Sequence, residues 1–153
     1  MAISEQQMQS DFLISGIIRA GALIGLIAMV MICHFYAEQI QLNFEVQDRI
    51  VLRTVLYVVA ILSFPLMKFV RHVLMRLNQT SKGNKTAKYR YLLTIFISMT
   101  LAEGLGLFGV LMYVLGDNYN TLYIFVGLSA LAMYLYQPSK EEYASIVDAL
   151  ETE

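Results

Sequence analysis

The chain has 153 residues, of which 58% are hydrophobic and 15% charged, and its formal net charge is −1. A soluble domain averages about 45–50% apolar and roughly 25% charged residues, so this composition disfavours a soluble enzyme, a disordered chain and a disulfide scaffold. No nucleic-acid partner is expected, because proteins that bind nucleic acids present a strongly basic surface. The single cysteine, Cys33, cannot form a disulfide within the chain.

The apolar residues are concentrated in four runs, most of them long enough to cross a bilayer. We predict a single membrane domain over residues 1–153, an all-α bundle of four transmembrane helices followed by a short C-terminal amphipathic helix. The first helix is expected to begin at Ser10 and Asp11, with Asp11 near its N-terminal cap. The predicted spans are about 12–36, 51–70, 91–115 and 121–136, and the C-terminal tail is 137–153.

The distribution of basic residues predicts the orientation. Seven of the eleven Lys and Arg residues lie between Lys68 and Arg90. The positive-inside rule therefore places the basic loop 71–90 in the cytoplasm, and with four spans both termini lie on the same side. We expect a bacterial inner-membrane protein in this orientation. The loop is also a candidate docking surface for anionic lipid or an acidic partner.

Three charged side chains fall within the predicted spans. Arg53 is close to the outer end of its span and is interpreted as an interfacial anchor. Arg19 lies roughly 10 Å deep by helical rise, so its side chain either reaches back to the headgroups or pairs with a buried partner. These two interpretations of Arg19 remain open, and Glu103 is its candidate partner.

Glu103 is the most informative of the three. It lies about twelve residues, or roughly 18 Å, from each end of its span, too far for a glutamate to reach water. We expect it to be protonated, because a lone charge in hydrocarbon is costly, and intramembrane carboxyls typically mark proton or ion pathways. The alternative is a neutral glutamic acid that donates one interhelical hydrogen bond.

Small residues surround Glu103 and recur at helical spacing. Such residues let helix backbones approach closely and are typical of helix contacts in membranes. The predicted packing positions are Ala102, Gly106 and Gly109 on this helix, with Gly21 and Gly25 as a matching small-residue face on the first span. Thr100, one turn before Glu103, is a candidate partner of its carboxyl. Because sodium needs several oxygen ligands, a proton is the favoured cargo.

The helix that carries Glu103 also resembles a known family. The sequence AEGLGLFGVL, within a matching segment of about 98–115, is similar to the ion-carrying helix of rotor proteolipids, subunit c of F-type and V-type rotary ATPases. The resemblance implies that Glu103 binds a translocated proton or sodium ion and that many copies form a ring. It further implies helix packing through Gly106, Phe108 and Gly109.

No pattern typical of catalysis is found, so neither an enzymatic activity nor a cofactor or metal site is predicted. His34 and His72 fall on opposite sides of the predicted membrane and cannot share a metal ion. The leading hypothesis is an oligomeric, proteolipid-like membrane protein with a protonatable glutamate, involved in proton translocation. The alternatives are a structural or accessory subunit of a larger membrane complex, and a small oligomeric channel or transporter. Its partners would be the lipid bilayer and either copies of itself or the other subunits.

Overall fold

The computed structural model describes residues 5–80 and 86–151, and this part of the chain is all-α. Three of its helices are long and apolar enough to cross a membrane. A fourth span is present only if the last two helices, which meet at a bend of 47°, are taken together. By length and composition, the helices indicate a multi-span membrane protein. They are α1 (Glu5–Phe35), α2 (Ala37–Ile40), α3 (Val46–Thr80), α4 (Ala87–Val114), α5 (Tyr119–Leu135) and α6 (Lys140–Glu151).

The helices extend beyond the predicted spans. The predicted basic loop 71–90 is helical over 71–80 and 87–90, and its residues 81–85 lie outside the described part of the chain, as do residues 1–4 and 152–153. The sequence predicts that the second helix continues as an amphipathic tail through Leu77 with its basic residues in water, and α3 continues to Thr80. Two basic residues of the predicted loop, Arg71 and Arg90, are buried in helices and not in water.

The predicted start of the first helix is wrong. α1 already includes Glu5, so Asp11 lies well inside the helix and does not cap it. Asp11 is buried because it has two partners from other helices. Its carboxylate accepts a hydrogen bond from the Tyr143 hydroxyl at 2.8 Å and pairs with the Lys88 ammonium at 2.7 Å. Asp11 therefore joins α1 to α4 and α6.

α4 is the central helix of the bundle, and it packs against α1, α3, α5 and α6. Its closest neighbour is α5, which returns along it after a tight turn at Gly116, where φ is +90°. The two backbones meet at Gly109, where an added Cβ would lie 2.9 Å from Phe125 Cβ and 3.0 Å from the Leu122 carbonyl oxygen. The close packing of α4 and α5 therefore requires a residue without a side chain at position 109.

Polar contacts hold the α4–α5 turn at one end of the bundle. Arg53 pairs with the Asp117 carboxylate at 3.2 Å, and Arg49 donates to the Gly116 carbonyl at 2.6 Å. The Asn118 side chain caps α5 by accepting a hydrogen bond from the Thr121 amide. Arg53, which we interpreted as a solvated anchor, thus also ties α3 to this turn.

A buried arginine connects the helices at the opposite end of the bundle, where the N-terminal part of α1 lies beside α6. Arg71 donates to Ser98 Oγ on α4 at 3.2 Å and to the carbonyl oxygens of Tyr136 at 2.8 Å and Gln137 at 3.3 Å, just after α5. It also forms two hydrogen bonds to the Glu142 carboxylate on α6, at 3.1 and 2.5 Å. We refer to Arg71, Ser98, Gln137 and Glu142 as the Arg71 layer.

Gly109→Ala should lower the free energy of unfolding by about 1–3 kcal/mol, because the new methyl group meets backbone and Cβ atoms that cannot rotate away. Gly104→Ala is the matched control on the same helix, since an added Cβ there meets nothing within 4 Å. Thermal unfolding in detergent measures both. Equal midpoints for the two variants would contradict the close approach of α4 and α5.

Arg71→Met should lower the free energy of unfolding by about 3 kcal/mol, because it leaves Glu142 without its counter-charge. This loss is at the lower end of the range usual for breaking a buried ion pair, because the Glu142 side chain is 32% exposed. Adding Glu142→Gln should recover part of the loss, as measured by denaturant unfolding in detergent. Strictly additive losses would show that the two residues do not interact.

Candidate functional site

The Glu103 carboxyl lies between α4 and α1. The side chain is half-buried, and an added Cβ at Gly25 of α1 would overlap its Oε1 atom. Gly25 therefore provides the space that the carboxyl occupies. Two of the predicted site residues, distant in sequence, are in this way brought into direct contact.

A cleft opens beside Glu103 between the same two helices, with a volume of about 280 Å³. From Phe96 to Glu103 it follows α4 for about seven residues, or roughly 10 Å of helical rise. Its walls are apolar apart from Thr100 and Glu103. The α1–α4 cleft is lined by Ile18, Gly21, Ala22, Phe96, Met99, Thr100 and Glu103.

Within the described part of the chain, Glu103 has neither a hydrogen bond nor an ion pair. Thr100, its candidate partner, is exposed in the cleft, but its hydroxyl donates to the Phe96 carbonyl at 2.9 Å. The carboxyl is thus left with its polar atoms available to water, to a cation or to a group from another molecule.

Arg19 is not brought together with Glu103. It precedes Gly25, the neighbour of Glu103, by six residues of α1, which corresponds to about 9 Å along the helix. Its side chain is half-buried, and its Nε atom is buried without a hydrogen-bond partner. The described residues therefore contain no ion pair that would hold Glu103 in its charged form.

The predicted packing residues have different surroundings. Ala102 is fully buried, and its carbonyl accepts a hydrogen bond from Ser129 of α5 at 2.7 Å. Gly106 faces Ser129 and Leu26 of α1, whose Cδ1 atom would be 2.5 Å from an added Cβ. An added Cβ at Gly21, by contrast, would meet nothing within 4 Å, and Gly21 lines the open cleft. The predicted contact of this α4 face with another helix is therefore made within one chain, against α1 and α5.

The polar groups at the two ends of α3 give a reference for the position of Glu103 along the bundle. Arg53 and Arg71 are about 18 residues apart, or roughly 27 Å, close to the roughly 30 Å thickness of bilayer hydrocarbon. Glu103 is only about 7.5 Å of helical rise from Ser98 in the Arg71 layer. Along α4, Glu103 is thus closer to this polar layer than to the α4–α5 turn.

Sequence reasoning missed Arg71 as a buried residue, although a signal was present. The buried residues of α3 are Leu56, Ala60, Met67 and Arg71, which recur at intervals of four and seven. This spacing is typical of one helix face directed at a core. Extending the apolar face by one turn would have predicted that Arg71 points inward and requires a partner.

No family model matches the chain, and no curated protein or solved structure is detectably similar to it. The similarity of the α4 segment to rotor proteolipids therefore stays a prediction from sequence. A functional proposal has to be argued from Glu103 and the α1–α4 cleft.

Arg19→Gln and Glu103→Gln should change the free energy of unfolding independently, because their side chains are not in contact. Within about 0.5 kcal/mol, the double variant should equal the sum of the two single variants. Unfolding of all three variants in the same detergent provides the comparison. A coupling above about 1 kcal/mol would indicate that the two residues form a pair.

Proposed function

We propose that this chain is a non-enzymatic membrane protein in which Glu103 takes up and releases a proton. The observation that supports this most directly is a half-buried carboxyl without a polar partner at the end of an open cleft. A lone charge is costly in hydrocarbon, and this cost favours proton uptake by a carboxylate that has no counter-charge. The ionised form becomes accessible when water or a cation enters the α1–α4 cleft.

The direction of access follows from the positive-inside rule, which assigns the Arg71 layer to the cytoplasmic side. If the hydrocarbon extends from Arg71 to Arg53, the α1–α4 cleft leads from near the cytoplasmic interface to Glu103. A proton is the favoured cargo over sodium, because one carboxyl and the Thr100 hydroxyl supply too few oxygen ligands for a metal cation.

The proposal includes self-association, as in the rotor proteolipids that α4 resembles. Gly106 and Gly109 already contact residues of their own chain, which leaves the α1–α4 cleft as the unfilled side of the Glu103 site. A second copy that covers this cleft would enclose Glu103 between chains. An accessory subunit of a larger complex would instead place an unrelated helix there.

A carbodiimide, which reacts with protonated carboxyls in apolar surroundings, should label Glu103. Labelling measured by mass spectrometry of the intact chain should disappear in Glu103→Gln. Gly25→Ala should change the labelling rate several-fold, because the added methyl group displaces the carboxyl. Gly16→Ala on the same helix is the matched control, since its Cβ meets nothing within 4 Å. Modification of other carboxyls with Glu103 unmodified would contradict the proposal.

Transport and association are tested separately from labelling. Proteoliposomes containing the wild-type chain should conduct protons under an imposed pH gradient, reported by an enclosed pH-sensitive dye, and Glu103→Gln should remove the conductance. Mass measurement in mild detergent should detect an oligomer of the chain. A labelled but non-conducting chain that purifies as a single copy with unrelated subunits would instead support the accessory-subunit alternative.

A further inference from the structure

A second cavity, distinct from the α1–α4 cleft, lies where α3 passes the end of α5 and the start of α6. Its volume is about 330 Å³. The α3 wall carries Lys68 and His72, and the α5 side contributes Leu135 and Tyr136. The cavity thus combines basic groups with an apolar wall, and it is next to the Arg71 layer.

The charges around this cavity do not cancel. Arg71 and Glu142 both line it, but they neutralise each other through their ion pair. Lys68 and His72 are exposed, and neither has an ionic or hydrogen-bond partner among residues 5–80 and 86–151. The basic side of the cavity is therefore available to an external anion.

The same face of α3 carries one more cation. Lys68, His72 and Arg76 follow one another at intervals of four residues, so they form a row along the helix surface. Arg76 is exposed, and its side chain also has no ionic partner in the described part of the chain. The row therefore extends the basic surface from the cavity along α3, away from the apolar part of the helix.

The apolar wall of the cavity is extended by exposed residues of α5, on the side opposite to the basic row. Leu135 is 55% exposed, and Leu131, one turn earlier on the same face of α5, is 46% exposed. The Tyr136 hydroxyl is used internally, since it donates to the Phe64 carbonyl at 2.9 Å. The cavity thus has a lysine and a histidine on the α3 side and exposed leucines on the α5 side.

We propose that this cavity binds the phosphate headgroup of an anionic phospholipid such as phosphatidylglycerol. Lys68 and His72 contact the phosphate oxygens, and the acyl chains lie along Leu135 and Leu131. Basic pockets between helices at the cytoplasmic side are suited to acidic headgroups. A free phosphate would use the cations but not the exposed leucines. His72 belongs to the 71–90 segment that the sequence suggested as a lipid contact, and Lys68 lies one helical turn before it on α3.

The test is native mass spectrometry of the full chain in detergent with phosphatidylglycerol or phosphatidylcholine. The wild-type chain should retain phosphatidylglycerol preferentially. Lys68→Gln should weaken retention about fivefold, since one basic residue near an anionic lipid contributes about 1 kcal/mol. Lys68→Gln combined with His72→Gln should weaken it further, and Lys68→Arg should preserve it. Lys140→Gln, at an exposed lysine of α6 outside the cavity, is the matched control and should leave retention unchanged.

Three results would overturn the proposal. The first is equal retention of both lipids by the wild-type chain, and the second is unchanged retention of phosphatidylglycerol in the Lys68 and His72 double variant. The third is displacement of phosphatidylglycerol by millimolar inorganic phosphate, which would identify a free anion as the ligand. Because Lys68 and His72 are exposed, the variants should unfold at the wild-type temperature in lipid-free detergent, which separates lost binding from lost folding.

Discussion

The buried guanidinium of Arg71 brings together three parts of the chain that are far apart in sequence. A buried cation is tolerated only when its donors are satisfied and its charge is balanced, because removing it from water is costly. Ser98, the carbonyl groups that follow α5, and the Glu142 carboxylate together meet this requirement. Arg71 thus links α3 to α4, to the end of α5 and to α6.

Glycines of the bundle allow two different kinds of contact. At Gly109 the missing side chain lets the α4 and α5 backbones meet, and this contact stabilises the hairpin. At Gly25 the missing side chain leaves room for the carboxyl of Glu103. The first contact is a tightly packed seam, whereas the second lies beside an open cleft. The bundle thus holds Glu103 on a well-packed helix without enclosing its carboxyl.

The helices could be predicted from the sequence because apolar run length is a local property. The Asp11–Tyr143 and Arg71–Glu142 contacts could not, since they join residues 132 and 71 positions apart, and nothing near either residue identifies its partner. For the candidate site, the sequence singled out Glu103 because a carboxylate in an apolar run is conspicuous by itself. Its contact with Gly25 depends on how α1 packs against α4, which composition does not determine.

The shortness of α5 has a consequence for the surrounding lipid. Its 17 residues extend about 25 Å, roughly 5 Å less than a typical hydrocarbon core, whereas α4 with 28 residues extends about 42 Å. Where α5 borders lipid, its apolar wall is shorter than the hydrocarbon, and such a mismatch is accommodated by local thinning of the bilayer or by the residues that flank the helix.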